Sequence, residues 1–115
     1  MRASSLAGQV LSIALEHARA SGGGLIRLVR GRVAVFEALT LDALTLRFDA
    51  LAKGTPAEGA RLEFDIVRAR VRCRACGEVF FPEHALPRCA RCDATEVDAI
   101  DPTGLWVTGL EVDAT

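Results

Sequence analysis

Cys73-Arg74-Ala75-Cys76 and Cys89-Ala90-Arg91-Cys92 are the two stretches that decide how this chain folds. They hold all four cysteines of the 115 residues, with the spacing C-x2-C-x12-C-x2-C. Two residues between paired cysteines allow a tight turn that aims both sulfurs at one point, and four thiolates complete the tetrahedral coordination of Zn²⁺. The spacing predicts one zinc ion with the ligands Cys73, Cys76, Cys89 and Cys92.

The residues that follow each cysteine pair support this interpretation. Gly77 follows the first pair and Asp93 the second. A knuckle turn requires left-handed backbone at this position, which glycine adopts freely and aspartate tolerates better than most residues. Because four thiolates leave no open coordination position, the zinc would be structural rather than catalytic.

Paired cysteines have two other common uses. Two disulfides would suit a secreted protein, but the first residues, Met1 to Ser5, lead into no unbroken apolar segment of a signal peptide. A redox C-x-x-C motif would explain each pair separately. Two matched pairs in one short segment fit a single closed metal site better than two redox centres.

Length and composition exclude several classes of protein. A chain of 115 residues, half of them hydrophobic, is one domain or a small domain with a metal-stapled insertion. The net charge of −1 argues against general nucleic-acid binding. No apolar stretch approaches the roughly 20 residues of a membrane span. We expect a cytoplasmic protein without a membrane partner, in a compartment where paired cysteines bind metals.

No arrangement in the sequence is typical of catalysis. The cysteines are assigned to the metal, and no nucleophile–base pattern is present. The three consecutive glycines at 22–24 precede a predicted strand, whereas a phosphate-binding loop leads from a strand into a helix. We therefore do not expect an enzyme.

Hydrophobic periodicity predicts the elements on both sides of the zinc motif. A helix is expected from about Ser5 to Ala20, capped by Ser4 or Ser5 and ended by the glycines at 22–24, and a second from Glu37 to Lys53. Alternating apolar residues predict strands over 25–35, 61–71 and 104–112. Gly31 indicates a bulge or a close backbone approach, and an extra residue at Gly109 would bring the apolar residues of the last strand onto one face.

These elements predict an α+β fold. We expect a three-stranded sheet with two helices on one face, and a four-cysteine zinc ribbon inserted between two strands of that sheet. The first strand would place Ile26 and Leu28 on one face and Val29 on the other. The predicted domains are residues 1–70 plus 100–115 for the α/β part and residues 71–99 for the zinc ribbon.

Five local motifs accompany this order of elements and are spread over the chain: Ser5-Leu6-Ala7, the run from Phe48 to Pro56, Gly59 to Glu63, Ala69 to Cys73, and Leu105-Trp106-Val107 with Leu110-Glu111-Val112. In these motifs and in the order of its elements the chain resembles the HypA/HybF family, the nickel metallochaperones of [NiFe]-hydrogenase maturation. The resemblance implies the zinc ribbon, a metallochaperone function, and a protein partner such as a hydrogenase large subunit or another maturation factor.

The N-terminus departs from the family pattern. Family members open Met-His-Glu and bind nickel through that histidine, whereas this chain opens Met1-Arg2-Ala3. Arginine offers no lone pair to a metal, so the resemblance supplies no nickel ligand here and Ni²⁺ binding is doubtful. His17 and His84 lack the clustered carboxylates that would support a replacement site, and we expect both at the surface.

Aromatic and basic residues near the ribbon are candidate partner contacts. Six arginines and three acidic residues in or near it leave a balance of 6 − 3 = +3, and alternation would place Arg68, Arg70 and Arg72 on one face. Solvated strand positions and packing against the zinc knuckles are the ordinary alternatives. The candidates are Trp106, Phe80, Phe81, Arg70 and Arg72.

Three functions are open from the sequence. The first is a HypA-like hydrogenase maturation factor that acts through protein contacts. The second is a HypA-derived binding subunit of a hydrogenase-like complex without nickel delivery. The third is a zinc-ribbon protein that contacts nucleic acid, which the near-neutral charge disfavours. Any of them would be compatible with a dimer.

Overall fold

The computed structural model describes residues 3–83 and 87–113. Neither helix in these ranges combines the length and the apolar character needed to cross a bilayer. The elements in chain order are α1 (Ala3–Ala20), β1 (Leu25–Val35), α2 (Leu41–Ala52), β2 (Arg61–Arg68), β3 (Val71–Cys73), β4 (Val79–Phe80), β5 (Val97–Ala99) and β6 (Gly104–Asp113).

The predicted α+β architecture is confirmed. Strand β1 is the centre of a three-stranded sheet, parallel to β2 on one side and antiparallel to β6 on the other. The helices cover one face of this sheet, and the main hydrophobic core lies between them and the strands. Strands β3, β4 and β5 form a second small sheet in the order β4-β3-β5, which carries the cysteines. The molecule is elongated, 59 Å by 22 Å by 16 Å.

Two bulges set which residues of β1 and β6 face the core. The register shifts at Arg27 in β1 and at Thr108 in β6. The second bulge, one residue from the predicted Gly109, brings the apolar residues on both sides of it against the core. The first bulge corrects a prediction, because it turns Ile26 to the same face as Val29 instead of the opposite one.

Gly31 lies where two parts of the backbone and an aromatic ring meet, as the sequence indicated. A Cβ atom at this position would overlap the carbonyl oxygen of Trp106 and approach Phe64 Cε2 to 2.6 Å. The ring of Phe64 therefore occupies the space that a side chain on the central strand would need. This close approach brings β1 and β6 together beside the core.

Helix α1 begins earlier than predicted and ends as predicted. It starts at Ala3, so Ser4 and Ser5 lie in its first turn and the predicted N-cap at either of them is wrong. At the other end, Gly23 N donates to Ala18 O at 2.7 Å and Gly22 N to Arg19 O at 3.2 Å, with φ of 103° at Gly22. This is a Schellman motif, which requires the left-handed backbone that glycine supplies.

Helix α2 is shorter than the predicted range of 37–53. Thr40 caps it, since Thr40 Oγ1 accepts from Ala43 N at 3.1 Å, and the helix begins at Leu41. A side-chain oxygen that satisfies a free backbone N–H defines a helix start more sharply than apolar spacing does. The buried stripe of the helix is Leu44, Phe48 and Ala52, whereas Leu46 is 68% exposed.

The strand predicted over 61–71 is interrupted at Ala69 and Arg70. Ala69 N donates to Val35 O at 2.7 Å, which ends the α/β sheet, and Arg70 O accepts from Ile100 N at 3.1 Å, which begins the ribbon. The chain therefore enters and leaves the ribbon at adjacent points. The described strands of the ribbon contact no helix or strand of the α/β part.

Candidate metal centre

The two cysteine knuckles have the same backbone hydrogen bonds. In the first, Cys73 N donates to Glu78 O at 2.8 Å and Gly77 N to Cys73 O at 2.9 Å. In the second, Cys89 N donates to Ala94 O at 2.9 Å and Asp93 N to Cys89 O at 2.8 Å. Gly77 has φ of 80° and Asp93 has φ of 68°, so both left-handed positions predicted from the sequence are confirmed.

The four sulfurs form one cluster that can hold one metal ion. All four Sγ atoms lie within 4.8 Å of one another. Two contacts join the knuckles, with the Sγ atoms of Cys73 and Cys92 3.5 Å apart and those of Cys76 and Cys89 3.6 Å apart. Zinc–sulfur bonds of about 2.3 Å in a tetrahedron place the sulfurs roughly 3.8 Å apart, so the cluster has the dimensions of a zinc tetrathiolate. All four cysteines are free rather than disulfide-bonded, and the gathering of both pairs at one point favours a single metal site over two separate redox centres.

The protein environment makes the thiols unequal in the absence of metal. The backbone N–H of Cys76 lowers the pKa of the Cys73 thiol to about 7, against the opposing effect of desolvation. The backbone N–H of Ala94 lowers the pKa of Cys92, but the neighbouring thiols and desolvation outweigh it and raise the value to about 12. Backbone N–H groups aimed at a sulfur favour the thiolate, the form that binds metal.

Arginine side chains hold the ribbon at the junction with the α/β part. Arg70 donates from its backbone N and its Nε to Asp101 Oδ2, both at 2.9 Å, and from Nη2 to Oδ1 at 3.1 Å. Arg68 donates to Phe36 O at 3.2 Å and to Pro82 O at 3.0 Å, and its guanidinium lies 5.1 Å from the ring centroid of Phe81. Arg70 therefore connects the strands entering and leaving the ribbon.

The net positive charge of the ribbon is smaller than the count from the sequence, because carboxylates that the count left out lie beside its arginines. Several of these carboxylates are in the segment after the second knuckle. Arg74 lies 2.8 Å from Asp98 and 4.0 Å from Glu96, and Arg88 lies 3.5 Å from Asp93. The sequence count missed Glu96, Asp98 and Asp101, although the alternation of Glu96 and Asp98 was a signal that both could lie beside arginines.

The candidate aromatic contacts lie in different environments. Phe80 is half-buried and pairs with Val71 in the ribbon sheet. Phe81 is 45% exposed beneath Arg68. Trp106 is 42% exposed on the face of the α/β sheet away from the helices, with the Arg32 guanidinium 5.6 Å from its centroid. A Cβ at Gly104 would lie 3.0 Å from the indole, so the ring rests on that glycine.

No second metal site emerges from the residues that the structure describes. Arg2 and His84 lie outside these residues. His17 is an exposed residue near the end of α1. Within residues 3–83 and 87–113, the four cysteines are the only group of three or more histidine, cysteine or acidic side chains close enough together to hold a metal ion.

Comparisons with known proteins agree with this architecture. The family model described as "HypA: Hydrogenase/urease nickel incorporation, metallochaperone, hypA" matches residues 1–112. The hydrogenase maturation factor HypA of Alkalilimnicola ehrlichii is 32% identical over 113 residues, covering 98% of this chain and 100% of that protein. The HypA of Methanopyrus kandleri is 38% identical over 79 residues, covering 69% of this chain and 56% of that protein.

A solved structure has the same fold. The solution structure of the Ni metallochaperone HypA from Helicobacter pylori matches with a TM-score of 0.61 at 18% identity, and the match covers 100% of both chains. The match of the family model over nearly the whole sequence, together with the similarity to curated relatives, shows that this chain belongs to the HypA family of hydrogenase/urease nickel-incorporation metallochaperones.

Proposed function

We propose that this chain is a hydrogenase maturation factor that binds one structural zinc ion and acts through contact with another protein. The observation that supports the zinc site most strongly is the cluster of four sulfurs within 4.8 Å. Soft thiolate ligands favour zinc over hard cations, and a fourfold thiolate set leaves no position for a reacting water. The ligands would be Cys73, Cys76, Cys89 and Cys92.

The maturation role is supported by the family. The matching family is described by nickel incorporation for hydrogenase and urease, and the curated relatives are named hydrogenase maturation factors. We infer that the partner is a hydrogenase large subunit or another maturation factor, in the cytoplasm. A homodimer remains part of the proposal, and sedimentation equilibrium would measure it.

Direct nickel binding is the step for which the family resemblance supplies no ligand in this chain. Arg2 occupies the position of the family's histidine, and a guanidinium has no lone pair for a metal. The arginine at position 2 favours a second candidate function, a HypA-derived binding subunit of a hydrogenase-like complex that delivers no nickel. Nucleic-acid binding is less favoured still, because acidic side chains lie against three of the ribbon arginines, Arg70, Arg74 and Arg88.

Nickel titration of the zinc-loaded protein tests whether this chain binds nickel directly. We expect no Ni²⁺ binding tighter than about 1 mM, equivalent to about −4 kcal/mol. The double variant Arg2→His with Ala3→Glu restores the family's opening residues and should bind more tightly. Micromolar binding by the unaltered chain would contradict the proposal that it lacks a direct nickel site.

Deletion of the gene in its own host tests the maturation role. The nickel content and activity of the host's [NiFe] hydrogenase should fall and return on complementation with the unaltered gene. Complementation with the double variant Arg2→His and Ala3→Glu provides the comparison with a chain that has the family's opening residues. Unchanged hydrogenase nickel after deletion would contradict a maturation role and favour the binding-subunit alternative.

A further inference from the structure

Arg72 carries a charge that the rest of the ribbon does not neutralise. The ribbon arginines Arg70, Arg74 and Arg88 each lie within 4.0 Å of a carboxylate. Among the described residues, Arg72 and Arg91 have no such partner. Arg72 differs from Arg91 in that it lies on a strand, so its direction is set by the sheet.

The reason for this free charge is competition for one carboxylate. The register of β3 places Arg72 between Val79 on β4 and Asp98 on β5. Asp98 accepts from Arg74 Nε at 2.9 Å and lies 2.8 Å from Arg74 Nη2. The acid opposite Arg72 is therefore engaged by a different arginine. Successive strand residues point to opposite faces, so Arg72 points away from the buried Cys73.

Two exposed apolar side chains lie in, and directly after, the strand that pairs with the strand of Arg72. Val79, its cross-strand neighbour, is 38% exposed, and Phe81 is 45% exposed, while Phe80 between them is less exposed. This alternation places Val79 and Phe81 on the same side of the chain. We call Arg72, Val79 and Phe81, with Arg68 over the ring of Phe81, the ribbon strip.

Arg68 gives the strip a second cation and a fixed aromatic ring. Its guanidinium is held by the carbonyl oxygens of Phe36 and Pro82 at 3.2 and 3.0 Å, and lies 5.1 Å from the Phe81 centroid. Carbonyl groups orient the side chain without neutralising it, and no described carboxylate lies within 4.0 Å of it. A cation at each end of an apolar pair is a preorganised arrangement, which lowers the entropic cost of binding.

The other exposed aromatic residue lies in a different electrostatic setting. Around Trp106, the open face of the sheet pairs Arg30 and Arg61 with Glu63, both at 3.3 Å. Arg32, above Trp106, lies opposite the exposed Asp65 in the register, so charges of both signs are neighbours on that face. The ribbon strip instead has two cations with no described carboxylate within 4.0 Å, and it therefore specifies the sign of its partner.

We infer that the ribbon strip docks a segment of a partner protein in which an apolar side chain is flanked by carboxylates. The apolar side chain contacts Val79 and Phe81, and the carboxylates pair with Arg72 and Arg68. Because exposed aromatics and arginines concentrate binding energy, Phe81 and Arg72 are the anchors. Two free cations are too few for a sequence-independent phosphate track. This inference deepens the proposed maturation function and rests on its being carried out through protein contact.

The test is selection of a phage-displayed library of random twelve-residue peptides on zinc-loaded full-length protein. We expect enrichment of peptides with a large apolar residue near Asp or Glu. Titration of a synthetic enriched peptide, followed by fluorescence anisotropy, should show about a tenfold loss of affinity for Arg72→Glu and for Phe81→Ala, equivalent to about 1.4 kcal/mol. Amide chemical shifts should change around Arg72 and Val79.

Two control variants distinguish loss of the ribbon strip from a general effect of changing a charge or removing an exposed aromatic ring. Arg91→Glu makes the same charge change at the other free arginine, and Trp106→Ala removes the other exposed aromatic, so each should leave affinity within about twofold. Unchanged zinc content and amide dispersion show that a variant is folded, and Arg72→Gln replaces Arg72→Glu if it is not.

Four results would overturn the inference. They are enriched peptides without carboxylates, equal losses of affinity in the control variants, chemical-shift changes that map to Trp106, and tighter binding of a single-stranded oligonucleotide than of the peptide. The assay contains neither nickel nor hydrogenase, so its failure would leave the gene-deletion test of maturation unaffected.

Discussion

Gly31 shows at the scale of one residue how tightly the main sheet is assembled. Replacing it with alanine would place a methyl group against the Trp106 carbonyl oxygen and the Phe64 ring. Overpacking of this kind costs about 1–3 kcal/mol. We expect Gly31→Ala to lower the free energy of unfolding by that amount in urea denaturation. Gly109→Ala is the matched control, because its Cβ would meet nothing closer than Arg30 Cβ at 3.9 Å. Equal midpoints for both variants would contradict the packing described for β1.

The left-handed residues of the knuckles make a second prediction at this scale. Gly77 and Asp93 have the same role, but only Asp93 bears the steric cost of a Cβ at positive φ. Gly77→Ala should weaken zinc binding by about 1 kcal/mol, roughly fivefold. Asp93→Gly should not weaken it, because the salt bridge it removes is exposed and worth little. Competition with a zinc chelator measures both, and weaker binding by Asp93→Gly would contradict this account.

At the scale of elements, local patterns in the sequence predicted more than contacts between distant segments did. Strand β1 has the predicted bounds of Leu25 and Val35 because alternation and flanking glycines are local signals. The bulge at Arg27 was missed because it depends on how β6 pairs. Asp101 was missed as a partner of Arg70 because it lies 31 residues away and only the fold brings the two together. The metal cluster was predictable because its spacing is itself the signal.

The contact between Arg70 and Asp101 joins the two segments that connect the ribbon to the α/β sheet. The Arg70 guanidinium lowers the pKa of the Asp101 carboxyl chiefly through a side-chain hydrogen bond. A carboxyl with a lowered pKa stabilises the fold above its ordinary pKa of about 3.9, and this contribution is lost as pH falls through the lowered value. The contact should therefore be intact and independent of pH between about 5 and 8.

Removing this contact should loosen the ribbon without unfolding it. We expect Asp101→Ala to reduce the alignment of the ribbon with the α/β sheet, measured at pH 7 by residual dipolar couplings. Asp98→Ala is the control, because it removes an arginine partner inside the ribbon and not at the junction. Identical alignment in the Asp101 variant and the unaltered protein would contradict this prediction, because it would show that Arg68 and the backbone are enough to orient the ribbon.

At the scale of the whole molecule, the hydrophobic core is distributed unequally between the α/β part and the ribbon. The main hydrophobic cluster lies between the helices and the sheet β2-β1-β6, whereas the ribbon sheet has strands of only two or three residues. We expect a ribbon with so little core to depend on its metal to fold. The domain boundaries predicted from the sequence, residues 1–70 plus 100–115 and residues 71–99, stay a proposal.

Loss of one ligand should separate the two parts. In Cys73→Ala, amide hydrogens of β3, β4 and β5 should lose protection from exchange, while those of β1 keep most of theirs. Ala75→Ser alters the same knuckle at an exposed position and keeps all four sulfurs, so it should retain protection throughout. Full ribbon protection in Cys73→Ala, or in a chelated sample, would contradict a metal-dependent ribbon.

Zinc-edge X-ray absorption of the purified protein, combined with its native mass, tests the central claim most directly. One zinc ion per chain with four sulfur ligands at about 2.3 Å is the predicted result. A mass lower by two hydrogens for each sulfur–sulfur bond, a metal content well below one, or a shell of nitrogen and oxygen ligands would contradict a site built from the two knuckles.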